Sequence, residues 1–97
     1  MASIHLTEHA RDDLLAIWRY VAEQDLDAAD RLITALEEHY RSLAALPRQG
    51  RAHRELGDGI YSLLLRPFRI FYLLRGDEVI ILRIYHSARD PKGVLEE

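Results

Sequence analysis

Four side chains in the last third of this 97-residue chain could do chemistry: Arg69, Arg83, His86 and Arg89. They lie within GIYSLLLRPFRIFYLLRGDEVIILRIYHSARD, from Gly59 to Asp90. His86 carries an imidazole able to serve as a general base. Arg89 can hold a phosphate or a developing negative charge. A plainer reading stands beside this one: His86 caps the sheet edge, and Arg89 and Asp90 form a local polar pair. Arg69 falls mid-strand among apolar neighbours, where an unpaired charge is costly. It therefore calls for a carboxylate such as Glu55 or Asp90, or for a partner macromolecule.

Other chemistries find less support. His5 and His9 stand four apart but His39, His53 and His86 are scattered, and the chain has no cysteine. Neither a metal site nor a disulfide framework is expected. Gly57 and Gly59 stand alone rather than in a phosphate loop, and Ser62 and Ser87 lack a nucleophile setting. No cofactor is implied.

The elements that must position these residues can be read from pattern. Between Gly59 and His86 three apolar runs are separated by Arg66-Pro67 and by Gly76-Asp77. They predict an antiparallel meander. A two-residue Gly-Asp hairpin sets Arg75 opposite Glu78, as an ion pair that helps to fix the register, Leu73 opposite Ile80, Phe71 opposite Leu82 and Arg69 opposite Ile84. Upstream, residues 2–6 form a strand candidate. Thr7 can cap a helix over residues 8–23, whose apolar stripe is Ala10, Leu14, Ile17, Trp18 and Val21. Asp25 can cap a second helix over residues 26–45, with Ala29, Leu32, Ile33, Leu36, Tyr40 and Leu43 as its stripe. Pro47 ends it. Residues 47–58 read as a polar surface loop, and residues 91–97 as coil or a frayed helical turn. The expectation is one α+β domain, 1–97: a strand, a helical hairpin and a three-stranded antiparallel meander in two layers.

The meander is apolar on both faces. Ile70, Tyr72, Leu74, Val79, Ile81 and Tyr85 fall on one side, and Phe71, Leu73, Ile80, Leu82 and Ile84 on the other. Helices can cover one face. The other is expected to stay open as an apolar partner surface.

Bulk numbers bound the function. Net charge is −3, with three arginines and nine acids in residues 1–40 but ten basic and seven acidic residues after them. Lys92 is the one lysine. That balance does not argue for general nucleic-acid binding, and no sequence-specific nucleic-acid contact is expected. The start of the chain lacks a signal-peptide pattern and no run is long enough to span a bilayer, so a cytoplasmic protein without a membrane partner is expected.

The segments LTEHARDDLLAIWRYVAEQD and GIYSLLLRPFRIFYLLRGDEVIILRIYHSARD resemble the ParE branch of the RelE/ParE toxin superfamily. The strongest matches are the helix with Ala10, Asp13, Leu14, Ile17, Trp18 and Tyr20, the FRIFY strand, and the final His86-x-x-Arg89-Asp90. The resemblance spans nearly the whole chain. It implies the toxin of a type II toxin–antitoxin module, one that inhibits DNA gyrase by binding and has no catalysis of its own. It also implies a cognate ParD-like antitoxin. Arg69, Arg83, His86 and Arg89 become the expected target contacts, and Leu14, Trp18, Tyr72 and Tyr85 the expected antitoxin contacts. RelE-like relatives instead cleave mRNA on the ribosome, and here Arg69, His86 and Arg89 would be the catalytic set. The lysines such cleavage uses appear as Ser62 and Leu64 in this chain. A module that binds its antitoxin without toxicity is the third possibility.

Overall fold

Thr7 ties the two layers together. Its Oγ1 accepts the Ala10 N–H at 3.0 Å to cap the first helix, while its hydroxyl donates to the Leu82 carbonyl at 2.8 Å. In the computed structural model, which describes residues 1–96, β1 (Ser3–Leu6) leads into this cap and α1 (Glu8–Ala22) follows. Asp25 caps α2 (Leu26–Arg41) through the Ala28 N–H at 3.0 Å. Glu8 and Asp27 sit in the two first turns, where the helix dipole favours acids. The second helix tightens into a 3₁₀ turn, Ser42–Ala44, before Pro47.

The meander is β3 (Ile60–Leu65), β4 (Phe68–Arg75) and β5 (Glu78–His86). A two-residue strand that the polar loop concealed, β2 (Arg51–Ala52), pairs with β3, and β1 lies parallel to β5. The five-stranded order is β1-β5-β4-β3-β2. The helical stripes pack on one face. Ala10, Leu36, Tyr40 and Leu43 meet Ile70, Tyr72, Val79, Ile81 and Ile84, with Leu14 and Ile17 partly buried against them. Trp18 bridges the hairpin instead: its Nε1–H donates to Asp30 at 2.8 Å.

Three expectations need correction. The hairpin register holds from Arg75–Glu78 to Tyr72–Ile81, then slips at a bulge. Phe71 faces Arg83 rather than Leu82, and Arg69 faces Tyr85 rather than Ile84. An extra residue in one strand moves every later side chain to the opposite face. Ile84 therefore enters the helix-covered core and Tyr85 the far side. Second, the Glu78 carboxylate approaches His5 Nε2 at 3.7 Å, not Arg75. Third, the far face is not an open apolar patch. The tail folds as α3 (Pro91–Leu95), capped by Asp90 through the Lys92 N–H, and residue 97 lies outside the described residues. Val94 of this helix joins Phe71 and Tyr85 in a second small core, flanked by Leu56, Ile60, Leu82 and Leu95. Leu64, at 36% exposed, marks what remains open.

The loop before β2 is clamped to the sheet by Tyr72. Its hydroxyl donates to the Pro47 carbonyl at 2.8 Å and accepts the Gly50 N–H at 3.1 Å. A Cβ on residue 50 would lie 2.6 Å from both the Ser62 carbonyl and the Tyr72 hydroxyl. Gly50→Ala is therefore expected to cost about 1–3 kcal/mol, the usual range for overpacking. Urea unfolding measures it, and an unchanged midpoint would show that the loop yields without loss.

Candidate functional site

Arg69 does not pair with Glu55 or Asp90. Its Nη1 donates to Ser62 Oγ across the β3–β4 ladder at 2.9 Å. Ser62 Oγ also lies 2.7 Å from His53 Nε2, and His53 Nδ1 lies 3.3 Å from Glu55 Oε1. Arginine only donates, so the serine oxygen must accept from it. With a neutral imidazole, the Ser62 hydroxyl then donates to Nε2 and Nδ1–H donates to Glu55. The order Glu–His–Ser is that of a nucleophile relay. Here it cannot act as one: Ser62 is 2% exposed and its oxygen is already held by Arg69. The relay is a brace for the guanidinium. His53 is itself fixed by contact with the Phe71 ring, 4.9 Å between centroids. The Glu55 carboxyl is held below its usual range, first by its own backbone N–H and further by His53. Ser62 and His53 were not singled out by sequence, because their meeting depends on the turn at Arg54–Leu56.

Arg83 is not available to a target. It is 8% exposed and grips Asp13 of α1 through Nε at 2.8 Å and Nη2 at 2.9 Å. Its Nη1 donates to the Val94 carbonyl at 2.8 Å, so one guanidinium joins α1, β5 and α3. His86 is exposed, with Nδ1 accepting the Ala88 N–H at 3.1 Å, and Arg89 is exposed beside it in sequence. The expected antitoxin contacts divide. Tyr72 is fully buried and Tyr85 nearly so, so neither offers a surface, while Leu14 is partly buried against the core. Trp18 keeps a partly exposed edge on the hairpin.

Tyr85 carries the one buried side-chain polar atom without a hydrogen-bond partner among the described residues, its hydroxyl. Burial pushes that hydroxyl up to about 12 from its usual 10.0; Arg69 opposes the shift and Asp90 adds to it. Between these values the unfolded chain releases a proton that the folded chain keeps, so stability falls as pH rises. Tyr85→Phe is expected to leave neutral-pH stability unchanged or raise it by about 1 kcal/mol. It should also flatten part of the alkaline decline. Tyr40 and Tyr72, likewise raised by burial, add to that decline. Urea unfolding at neutral pH and from pH 10 toward 12 checks both; an unaltered alkaline decline would remove Tyr85 as a source.

A strand, a helical hairpin and an antiparallel meander closed by a short C-terminal helix make up the described chain. Residues 4–91 match the family described as the ParE toxin of the type II toxin–antitoxin system parDE. Toxin ParE3 of Caulobacter vibrioides is 31% identical over 85 residues, covering 87% of this chain and 85% of that protein. The chromosomal ParDE system of P. aeruginosa includes a chain that superposes with a TM-score of 0.74 at 29% identity, over 89% of this chain and 96% of that one. The RelBE2 toxin–antitoxin complex of Mycobacterium tuberculosis gives a TM-score of 0.67 at 26% identity, over 88% and 96%. The chain belongs to the ParE toxin family of type II toxin–antitoxin systems. Among the described residues no helix is long and apolar enough to cross a membrane.

Proposed function

We propose that this toxin inhibits DNA gyrase by binding it, and that a cognate ParD-like antitoxin neutralises it. The observation that carries the first part is the fate of the far face. Ser62 braces Arg69, and Leu64 follows it on the same strand face. Neither side chain can take a proton from a ribose hydroxyl as a lysine base would. What the face does offer is a fixed guanidinium, with exposed His86 ending the strand and exposed Arg89 after it. Fixed cations suit recognition of a macromolecular surface. The antitoxin part is supported by family membership and by structural relatives described as toxin–antitoxin systems.

Purified chain added to gyrase, closed-circular DNA and ATP tests the reading: supercoiling should fall or cleaved DNA accumulate. Full supercoiling at a large excess of chain would reject it. Arg69→Ala is expected to raise the concentration for half-inhibition by at least about tenfold, as for a contact at the centre of an interface. It should cost only about 1 kcal/mol of stability, because one hydrogen bond to Ser62 is lost. A melting loss that accounts for all the lost inhibition would return Arg69 to a structural role.

A further inference from the structure

Arg69 and Arg83 stand on the far face of the sheet with Phe71, and their hydrogen bonds differ in one respect. Arg83 turns Nε and Nη2 to the two oxygens of Asp13 at 2.8 and 2.9 Å, and Nη1 to the Val94 carbonyl at 2.8 Å. The Nε–Nη2 edge of a guanidinium is a fork that matches a carboxylate. Arg69 uses its Nη1 in the same way, on the neutral Ser62 oxygen at 2.9 Å. Among the described residues, however, no acceptor meets its Nε or Nη2, and no carboxylate lies within ion-pairing distance of it. Arg69 is partly buried, and the Tyr85 hydroxyl is the one buried side-chain polar atom without a partner among these residues. The two open nitrogens of Arg69 therefore touch solvent. An arginine withdrawn this far from water ordinarily has an acid partner.

The surroundings narrow the kind of acid. Leu64, Arg69 and Tyr85 form one row across β3, β4 and β5, because the bulge brings Tyr85 rather than Ile84 opposite Arg69. Leu64 is an exposed apolar side chain, and no cation flanks Arg69 in the row. An arginine set between a leucine and an aromatic ring has the composition of a protein interface. A nucleic-acid backbone is held instead by several cations along a track. The chain as a whole carries −3, which repels a polyanion.

We propose that the Nε–Nη2 fork of Arg69 takes the carboxylate of an aspartate or glutamate on the target protein, and that Ser62 and His53 are positioning residues for that fork. The proposal rests on the gyrase reading above and names the group on gyrase that the toxin holds. Ser62 fixes Nη1, and His53 Nε2 fixes Ser62 at 2.7 Å; both residues are buried. The fork is thus aimed before the target arrives, and less side-chain freedom is lost on binding.

Dissociation constants for purified gyrase, with and without DNA, test this on the full-length chain. The forms compared are wild type, Arg69→Lys, Arg69→Ala, Ser62→Ala and the double variant Ser62→Ala with Arg69→Ala. Arg69→Lys keeps the charge but loses the fork, and should weaken binding to DNA-free gyrase at least about tenfold. Ser62→Ala should weaken it at least about threefold alone. It should add nothing once Arg69 is alanine, since a residue that acts through the guanidinium has no effect without it. Affinity kept by Arg69→Lys overturns the fork and leaves the gyrase reading standing. Binding that appears only with DNA does the same, because the ligand would then be a phosphate. Losses from Ser62→Ala and Arg69→Ala that multiply in the double variant overturn the positioning role and make the brace structural. Failure of wild type to bind gyrase, with or without DNA, overturns the gyrase reading and the fork with it.

Discussion

Asp13→Ala is expected to destabilise the fold by about 3–5 kcal/mol, the usual cost of removing one partner from a buried ion pair. The two side chains are 10% and 15% exposed, so water cannot take over the lost contacts. The aspartate accepts three hydrogen bonds, from Arg83 Nε, Arg83 Nη2 and the Ile84 N–H. Its loss takes the Asp13 carboxylate from a buried guanidinium and opens the β5 edge at once. At about 4–8 °C per kcal/mol for a domain of this size, the melting temperature should fall by at least about 12 °C. Joint replacement, Asp13→Leu with Arg83→Met, removes both members of the pair and is expected to recover part of the loss. Thermal and urea unfolding measure both. A cost below about 1 kcal/mol for Asp13→Ala would mean that the pair is solvated, as at an exposed surface.

Phe71→Ala is expected to cost a similar amount, about 3–5 kcal/mol. The ring is fully buried on the far face, stacked on Tyr85 at 5.7 Å with 7° between planes and touching His53. Its removal leaves Val94 with only Tyr85 of its two aromatic partners, so amides of α3 should exchange faster than those of α2. Leu64→Ala, on the same face but 36% exposed, should cost far less, within about 1 kcal/mol. If the far face were an open apolar patch, the two substitutions would cost about the same. The difference in unfolding free energy between them measures how far α3 and the Arg54–Leu56 turn close the second core.

The helical hairpin was legible because every signal there is local. Thr7 and Asp25 announce the caps, and the apolar stripes repeat at helical spacing. The Gly76-Asp77 turn was legible for the same reason; Gly76 takes φ 59°, which glycine adopts without strain. What failed was parity. Ile81 and Arg83 straddle a bulge at Leu82, and a run such as EVIILRIYH, nearly all apolar, gives no alternation to reveal it. That one slip misplaced Ile84 and Tyr85. The covering of the far face failed for a different reason: PKGVL has too few apolar residues to declare a helix, and it forms because Val94 finds Phe71 and Tyr85. Arg69 was found as a mid-strand charge, but its brace was not. His53 and Ser62 are nine residues apart and meet because the short strand β2 pairs back on β3 across the Arg54–Leu56 turn.

The central claim is that this toxin acts by holding another macromolecule rather than by turning over a substrate, and stoichiometry separates the two. Purified chain is titrated into fixed gyrase with DNA and ATP, and in parallel into ribosomes translating a defined mRNA. A binder must inhibit supercoiling in proportion to the fraction of gyrase occupied, with an endpoint near one chain per binding site and no mRNA cuts. Codon-positioned cleavage of many mRNA molecules per chain, with supercoiling untouched at the same ratio, would contradict it.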